Sequence, residues 1–305
     1  LGVPERINAQ GGILQPLDES RAREMADELV RKGADSITIS LLHAYANPIH
    51  EHKLRDIIAS AYPDLPISLS SEILPEFREY ERTLVTVMNA YVRPGMRRYL
   101  DNFRHKLENE RFNSRLHIVR SDSGLMGVER AMESPVYTLL SGPAGGVAGA
   151  AHLSGLAGYP NALGFDMGGT STDVSLIQDG EPTSSRQTSL GSYPVKIPSI
   201  EVHSVGAGGG SIAHVPMTGA IRVGPESAGA APGPACYGKG GTAATVTDAN
   251  VVLGRLPESL LGGHMPLDTK AAEDVVGALG RPLNLDLYET AQGIIDIVNE
   301  NMFGA

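Results

Sequence analysis

The stretch GFDMGGTSTDVSLI, Gly164 to Ile177, sets two apolar runs around a turn of glycines, hydroxyls and acids, and so reads as a strand, a tight reversal and a returning strand. Adjacent Gly168 and Gly169 lack Cβ atoms, so backbone N–H groups there can approach an anion, and Thr170, Ser171 and Thr172 add hydroxyl donors. Such a turn suits a phosphate. Asp166 stands where a carboxylate holds Mg2+ directly or through water, and Asp173 is placed to orient a nucleophile or to brace the turn. An ordinary glycine hairpin with local Ser/Thr and Asp hydrogen bonds accounts for the same residues. No Gly-Lys-Ser/Thr follows, so the turn is not a Walker A loop.

The chain has 305 residues, enough for about two domains of roughly 150 each. Its 25 Lys and Arg against 35 Asp and Glu leave a net charge of -10, which disfavours non-specific attraction to nucleic acid or an anionic membrane. Small molecules and protein partners are the expected ligands, and the acidic surface leaves room for a homo-oligomer. The single cysteine, Cys236, excludes an internal disulfide framework and a multi-cysteine zinc site, and points to a reducing, cytoplasmic setting. The longest uncharged stretch, Ser134 to Phe165, is too rich in glycine and proline for a lipid-facing helix. The opening LGVPERINAQGG has no signal-peptide pattern, and the last turns keep helical spacing at Ala291, Ile294, Ile295, Val298 and Met302 without a proline stop. Both ends are read as cut from a longer chain.

The first part alternates between helix and strand signals. DESRAREMADELVRKG reads as a helix ending at Gly33, Ser36 to Leu42 as a strand, Asn47 and Pro48 as the start of a helix to about Ala61, and PISLSS as another strand. This predicts a mainly parallel sheet. Helical periodicity continues from Glu79 to Glu110, with a kink or break expected at Pro94 and Gly95. A strand at Leu116 to Gly124, short β segments from Asp166 to about Arg222 with a hairpin at Asp179 and Gly180, and helices near Ala249–Leu253 and Thr269–Leu279 complete the reading.

Other residues compete for chemistry. Gly206, Gly208, Gly209 and Gly210 in VGAGGGSIA can approach a ligand closely or form a connection between strands. SGPAGG, Ser141 to Gly146, reads as a helix start that serves either an anion or tight packing. Asp166, His203 and Asp248 would make an oxygen and nitrogen metal site if the fold joined them. His43, His50 and His52 read as a solvated face around a helix start, and Cys236, with no base in view, as a packed cysteine.

Asp-x-Gly-Gly-Thr-x-Thr-Asp resembles the phosphate hairpin of the actin-like ATPase superfamily. The segments SEILPEFREYERTLVTVMNAYV, TLLSGPAGGVAGA, GFDMGGTSTDVSLI, HSVGAGGGSIA and GPACYGKGGTAATVTDANVVLGRL, in this order, resemble the hydantoinase A/oxoprolinase family along essentially the whole chain. The resemblance implies an α/β protein, with a partial N-terminal α/β domain and linking helix over residues 1–112 and an actin-like, ribonuclease-H-like ATPase domain over 113–305. It implies ATP and Mg2+, with room for a second divalent metal, and a hydantoinase B-like subunit or domain as partner. The implied reaction is phosphorylation of a carbonyl oxygen that opens cyclic amides such as hydantoin or 5-oxoproline. The alternatives are an acetone or acetophenone carboxylase subunit and a non-catalytic nucleotide-binding assembly module. Asp166 and Asp173 are the expected catalytic residues, Gly168, Gly169, Thr170, Ser171, Thr172, Gly206, Gly208, Gly209 and Gly210 the expected nucleotide contacts, and Asp166, His203 and Asp248, if the fold joins them, the expected metal ligands. Family members begin with a further glycine-rich strand-turn-strand and carry a later Gly-Gly-x-Gly segment. Neither occurs in residues 1–305, so weak or absent ATP binding is expected of this chain alone.

Overall fold

A computed structural model of the chain describes residues 1–112, 114–217 and 219–304. It divides into two compact units, Leu1–Gly149 with Ser184–Glu201, and Ala150–Thr183 with Val202–Ala305.

In the first unit a short antiparallel pair, Arg6–Ile7 with Ile13–Gln15, precedes α1 (Glu19–Arg31), whose N-cap Asp18 accepts a hydrogen bond from the Arg21 amide. Strand β1 (Ile37–Ile39), helix α2 (Ile49–Ala61) and strand β2 (Ile67–Leu69) form a parallel crossover unit, with Ile37 opposite Ile67 and Ile39 opposite Leu69. Its core gathers Ala22, Ala26, Ile37, Ile39, Leu54, Ile58 and Leu69. The mainly parallel sheet expected from the alternation is thus one short parallel pair among the described residues.

Helix α3 (Glu79–Asn109) runs without a break through Pro94, where a kink and a break are the two expected outcomes. A proline inside a helix costs roughly 3 kcal/mol. The packing of α3 against both parallel strands and the elements that follow offsets that cost. Strands β3 (His117–Val119) and β4 (Leu125–Gly127) pair antiparallel and lead into α4 (Val128–Glu133). Leu100 of α3 is buried with Met126, Val128 and Ala131, so these elements stay with the first unit.

The division between the two compact units lies within α5 (Ser141–Leu156). After the hairpin of β5 (Ala162–Met167) and β6 (Thr172–Gln178), the chain returns to the first unit through β7 (Thr188–Leu190) and β8 (Tyr193–Val195). Val195 and Ile197 are fully buried there beside Ile73, Leu74, Val85 and Val136.

In the second unit, β9 (His203–Val205) joins the hairpin to give the antiparallel order β9–β6–β5. Strands β10 (Ser211–His214) and β11 (Arg222–Ser227) pair beside it. Helices α6 (Val246–Val252), α7 (Thr269–Gly280) and α8 (Leu287–Phe303) supply Val246, Ala249, Val276, Ala291, Ile294, Ile295 and Val298 to the core under Ala207, Ala213 and Val223. The expected spacing at the chain's last helix is thus its buried stripe. Among the described residues, no helix is long and apolar enough to cross a membrane.

Candidate functional site

The expected strand-turn-strand is present, with Phe165 opposite Val174, Asp166 opposite Asp173 and Met167 opposite Thr172. Asp173 also faces Ser204 of β9. Strand neighbours directly opposite share a face, so Asp166, Asp173 and Ser204 form one row across the sheet. The Ser204 hydroxyl donates to the Asp173 carboxylate. Asp166 is exposed and has no hydrogen-bond or ionic partner among the described residues.

What fixes the turn lies behind it. The Gly168 amide donates to the Ser171 carbonyl at 2.9 Å, and the Gly209 and Gly210 amides donate to the Gly168 and Gly169 carbonyls at 3.0 and 2.7 Å. Both turn carbonyls are therefore drawn back onto the glycine run. The N–H groups of Gly169, Thr170 and Ser171 donate to no other part of the chain among the described residues. Exposed donors with their carbonyls turned away form an anion-binding concavity. A Cβ on Gly208 would lie 2.7 Å from the Thr170 backbone nitrogen, and one on Gly210 would lie 2.8 Å from the Gly169 carbonyl oxygen. The glycine run thus permits backbone-to-backbone contact with the turn.

The support extends inward. The carbonyl of Gly209 accepts from the Thr247 amide at 2.8 Å and the Thr247 hydroxyl at 2.7 Å, which ties the run to the first turn of α6. That helix is capped by Thr245, which forms a reciprocal capping box with Asp248. The fully buried Asp248 carboxylate accepts from the Thr245 amide and hydroxyl at 3.0 and 2.7 Å, and from the Ala235 and Cys236 amides at 3.3 and 2.8 Å. Turn, glycine run, helix cap and the GPACYG loop form one hydrogen-bonded chain.

Several sequence expectations acquire definite places. Thr172 is fully buried, and its hydroxyl donates to the Ala207 carbonyl at 2.6 Å, so it braces the turn from within. Gly209 and Gly210 spend their amides on the turn, which makes the run a support for the cradle. The metal trio does not assemble. No group of three acidic, histidine or cysteine side chains with metal-binding geometry occurs among the described residues. His203 pairs opposite Val174, one position out of step with the Asp166 row and hence on the other face of the sheet, while the Asp248 oxygens are filled by four donors.

Cys236 is fully buried, and burial first, then the nearby Asp248 charge, push its thiol far above the usual cysteine range. It is a packed thiol. His50 departs from the expected solvated face, because it is buried with its Nδ1 2.8 Å from Glu5. Sequence reasoning missed Ser204 and Thr247. For Thr247 the available signal was the Thr-x-x-Asp capping pattern around it; for Ser204 there was none, because its role depends on strand register.

The antiparallel sheet and its hairpin, with the helices packed beside them, are of the actin-like ATPase fold class. The chain belongs to the hydantoinase/oxoprolinase family: the family model matches residues 82–305, and that of the hydantoinase/oxoprolinase N-terminal region matches residues 1–62. It is 41% identical to the uncharacterized protein MJ0964 of Methanocaldococcus jannaschii, over 98% of this chain and 46% of that protein. It is 37% identical to the caprolactamase subunit alpha of Pseudomonas jessenii, over 97% of this chain and 43% of that subunit. Among solved structures, the nucleotide-free acetone carboxylase, from work on the mechanism of ATP-dependent acetone carboxylation, superposes with a TM-score of 0.85 at 32% identity, over 99% of this chain and 43% of its own. The chain therefore spans less than half the length of these relatives.

Proposed function

We infer that the second unit supplies the phosphate clamp of an ATP-dependent enzyme that phosphorylates the carbonyl oxygen of a cyclic amide, so that hydrolysis opens the ring. The observation that carries this reading is the turn whose Gly168 and Gly169 carbonyls are pulled back onto Gly209 and Gly210 while the N–H groups of Gly169, Thr170 and Ser171 donate to nothing else among the described residues. Gly169, Thr170 and Ser171 offer amides to phosphate oxygens, with the Thr170 and Ser171 hydroxyls beside them. Asp166, an unpaired carboxylate at the strand end, fits the metal side of a Mg2+-nucleotide. The ion would neutralise phosphate charge as the phosphoryl group moves. Asp173, held by Ser204, is oriented to align the attacking group or to brace the row.

Caprolactamase is a cyclic-amide hydrolase by name, and it supports the hydrolase reading. The similarity to acetone carboxylase favours a second one, in which the phosphorylated species is a ketone enol and bicarbonate is the co-substrate. A hydantoinase B-like subunit or domain is the proposed partner, in keeping with the caprolactamase relative being one subunit of its enzyme.

The test is ATP hydrolysis by the full-length enzyme, purified with its subunits and offered hydantoin, 5-oxoproline, ε-caprolactam or acetone, each with and without bicarbonate. Stimulation by a cyclic amide without bicarbonate is the expected result. Stimulation by acetone only with bicarbonate transfers the assignment to the carboxylase reading, and no stimulation by any compound overturns both.

A further inference from the structure

Strand β1 of the first unit pairs with β2 and with no other strand among the described residues. The Ile37 amide donates to the Pro66 carbonyl at 2.9 Å, and in a parallel ladder alternate residues turn their backbone groups to opposite sides. The N–H and C=O of Thr38 therefore face away from β2, toward the open edge. A cavity of about 530 Å³ runs along that edge. Ile37 and Ile39 pack on α1, whereas Ser40, on the opposite face, meets Thr83 of α3. The cavity accordingly has one wall from α1, with Met25 and Leu29, and another from α3, with Thr83 and Val87.

Helix α3 is apolar on two sides. Val85 and Ala90 are buried within the unit, while Leu84, Val87, Met88 and Tyr91, spaced i, i+3, i+4 and i+7, line a second cavity of about 600 Å³. Val87 is 47% exposed and Tyr91 85%. A helix that is apolar all round belongs inside a core. Val87 lines both cavities, so the groove continues from the β1 edge onto this stripe. The order of contacts around α3 gives its direction. Asn89 donates to the Ser68 hydroxyl at 3.0 Å and Arg93 to the Ile67 carbonyl, both in β2, and Thr83 shares a 2.6 Å hydrogen bond with Ser40 at the end of β1. At about 100° per residue, Val87, Tyr91 and Leu84 come next around the helix, on the side of Thr83 away from β2. A strand added beside β1, at the usual spacing of about 4.8 Å, would lie over them.

We propose that the β1 edge and this stripe of α3 are the docking surface for an apolar β-strand supplied by the same polypeptide, from outside residues 1–305. The strand pairs with the backbone of Thr38 and turns alternate side chains to α1 and to α3, so it is apolar on both faces. Two observations favour the same chain over a separate partner. The relatives hold more than half of their residues outside the matched region, since this chain covers 43 to 46% of each. The groove is also lined by the core residues Ile37, Ile39, Leu54 and Ile58, and the cover of a core has to be present whenever the unit is folded. A tethered segment meets that demand at any protein concentration.

The test uses the full-length enzyme purified with its subunits. Tyr91 is replaced by the photo-crosslinker p-benzoylphenylalanine, the sample is irradiated, and the joined peptides are identified by mass spectrometry. The expected crosslink joins residue 91 to a segment of the same polypeptide outside residues 1–305, in a band with the mass of one chain. In the unsubstituted enzyme, the Thr38 amide is expected to exchange with solvent at least about 10³-fold more slowly than an unpaired amide. A crosslink to a second copy, seen as a band of twice that mass, or to a co-purified subunit overturns the proposal. So does a residue 91 that joins nothing outside residues 1–305, or a Thr38 amide that exchanges at the unpaired rate. Neither measurement reads ATP turnover, so a failure here leaves the proposed function standing.

Discussion

Replacing Gly208 with alanine is expected to cost the full-length enzyme on the order of 100-fold in ATP turnover, the loss that a displacement of about 1 Å in a reactive array produces. The added methyl would sit 2.7 Å from both the backbone nitrogen and the carbonyl carbon of Thr170, and 2.8 Å from the carbonyl carbon of Gly169. Neither neighbour is a side chain that can rotate aside, so relief comes only from moving the turn or the run. Moving either breaks the Gly209 and Gly210 hydrogen bonds that hold the turn carbonyls back. Overpacking of this kind also costs typically about 1–3 kcal/mol of stability. Gly155→Ala in α5 is the control for bulk alone, since nothing lies within 4 Å of its added Cβ. Steady-state kinetics with a denaturant titration of each variant measures both effects, and a Gly208→Ala enzyme as active as wild type refutes the support role of the run.

Asp248→Ala is expected to lower the stability of the second unit by at least about 3 kcal/mol, because three buried amides and a buried hydroxyl lose their acceptor at roughly 1–3 kcal/mol each before relaxation. Asp248→Asn keeps one acceptor oxygen but turns an NH2 toward some of the same donors, so it is expected to fall between wild type and alanine. The readout is specific. Cys236 is fully buried and its thiol is held protonated, so wild type resists alkylation under native conditions. In Asp248→Ala the GPACYG loop loses its anchor, and Cys236 is expected to react. Protection of Cys236 equal to wild type in Asp248→Ala refutes the view that this carboxylate organises the loop.

The local grammar of this protein was legible in its sequence, whereas the long-range pairings were not. The hairpin at Asp166–Asp173 was readable because glycine pairs, hydroxyls and flanking apolar runs specify a turn by local chemistry, as were the α1 start at Asp18 and the buried stripe of α8. At Pro94 the sequence left a kink and a break open, and packing along α3 outweighs the local propensity cost that a break would have relieved. Val195 and Ile197 return to a core built some hundred residues earlier, a contact that no local pattern announces. At the candidate site, three side chains take directions that the sequence does not announce. Thr172 points inward to the Ala207 carbonyl, Asp248 caps a helix, and His203 falls on the other sheet face by a single register step. Glu51 and Arg82 likewise look like surface charges of two helices until the fold buries both, one on the amide and one on the carbonyl of Leu41.

That the Gly168–Ser171 turn holds the nucleotide phosphates, with Asp166 on the metal side, is tested most directly by Asp166→Asn in the full-length enzyme. The substitution keeps the size of an exposed side chain that braces nothing else among the described residues, so a change in folding does not confuse the result. Substrate-stimulated ATP hydrolysis is measured across a Mg2+ titration. The predicted result is a loss of about 10²–10³-fold in kcat with normal thermal stability, and a higher Mg2+ requirement for what activity remains. Turnover within threefold of wild type, at an unchanged Mg2+ requirement, contradicts it.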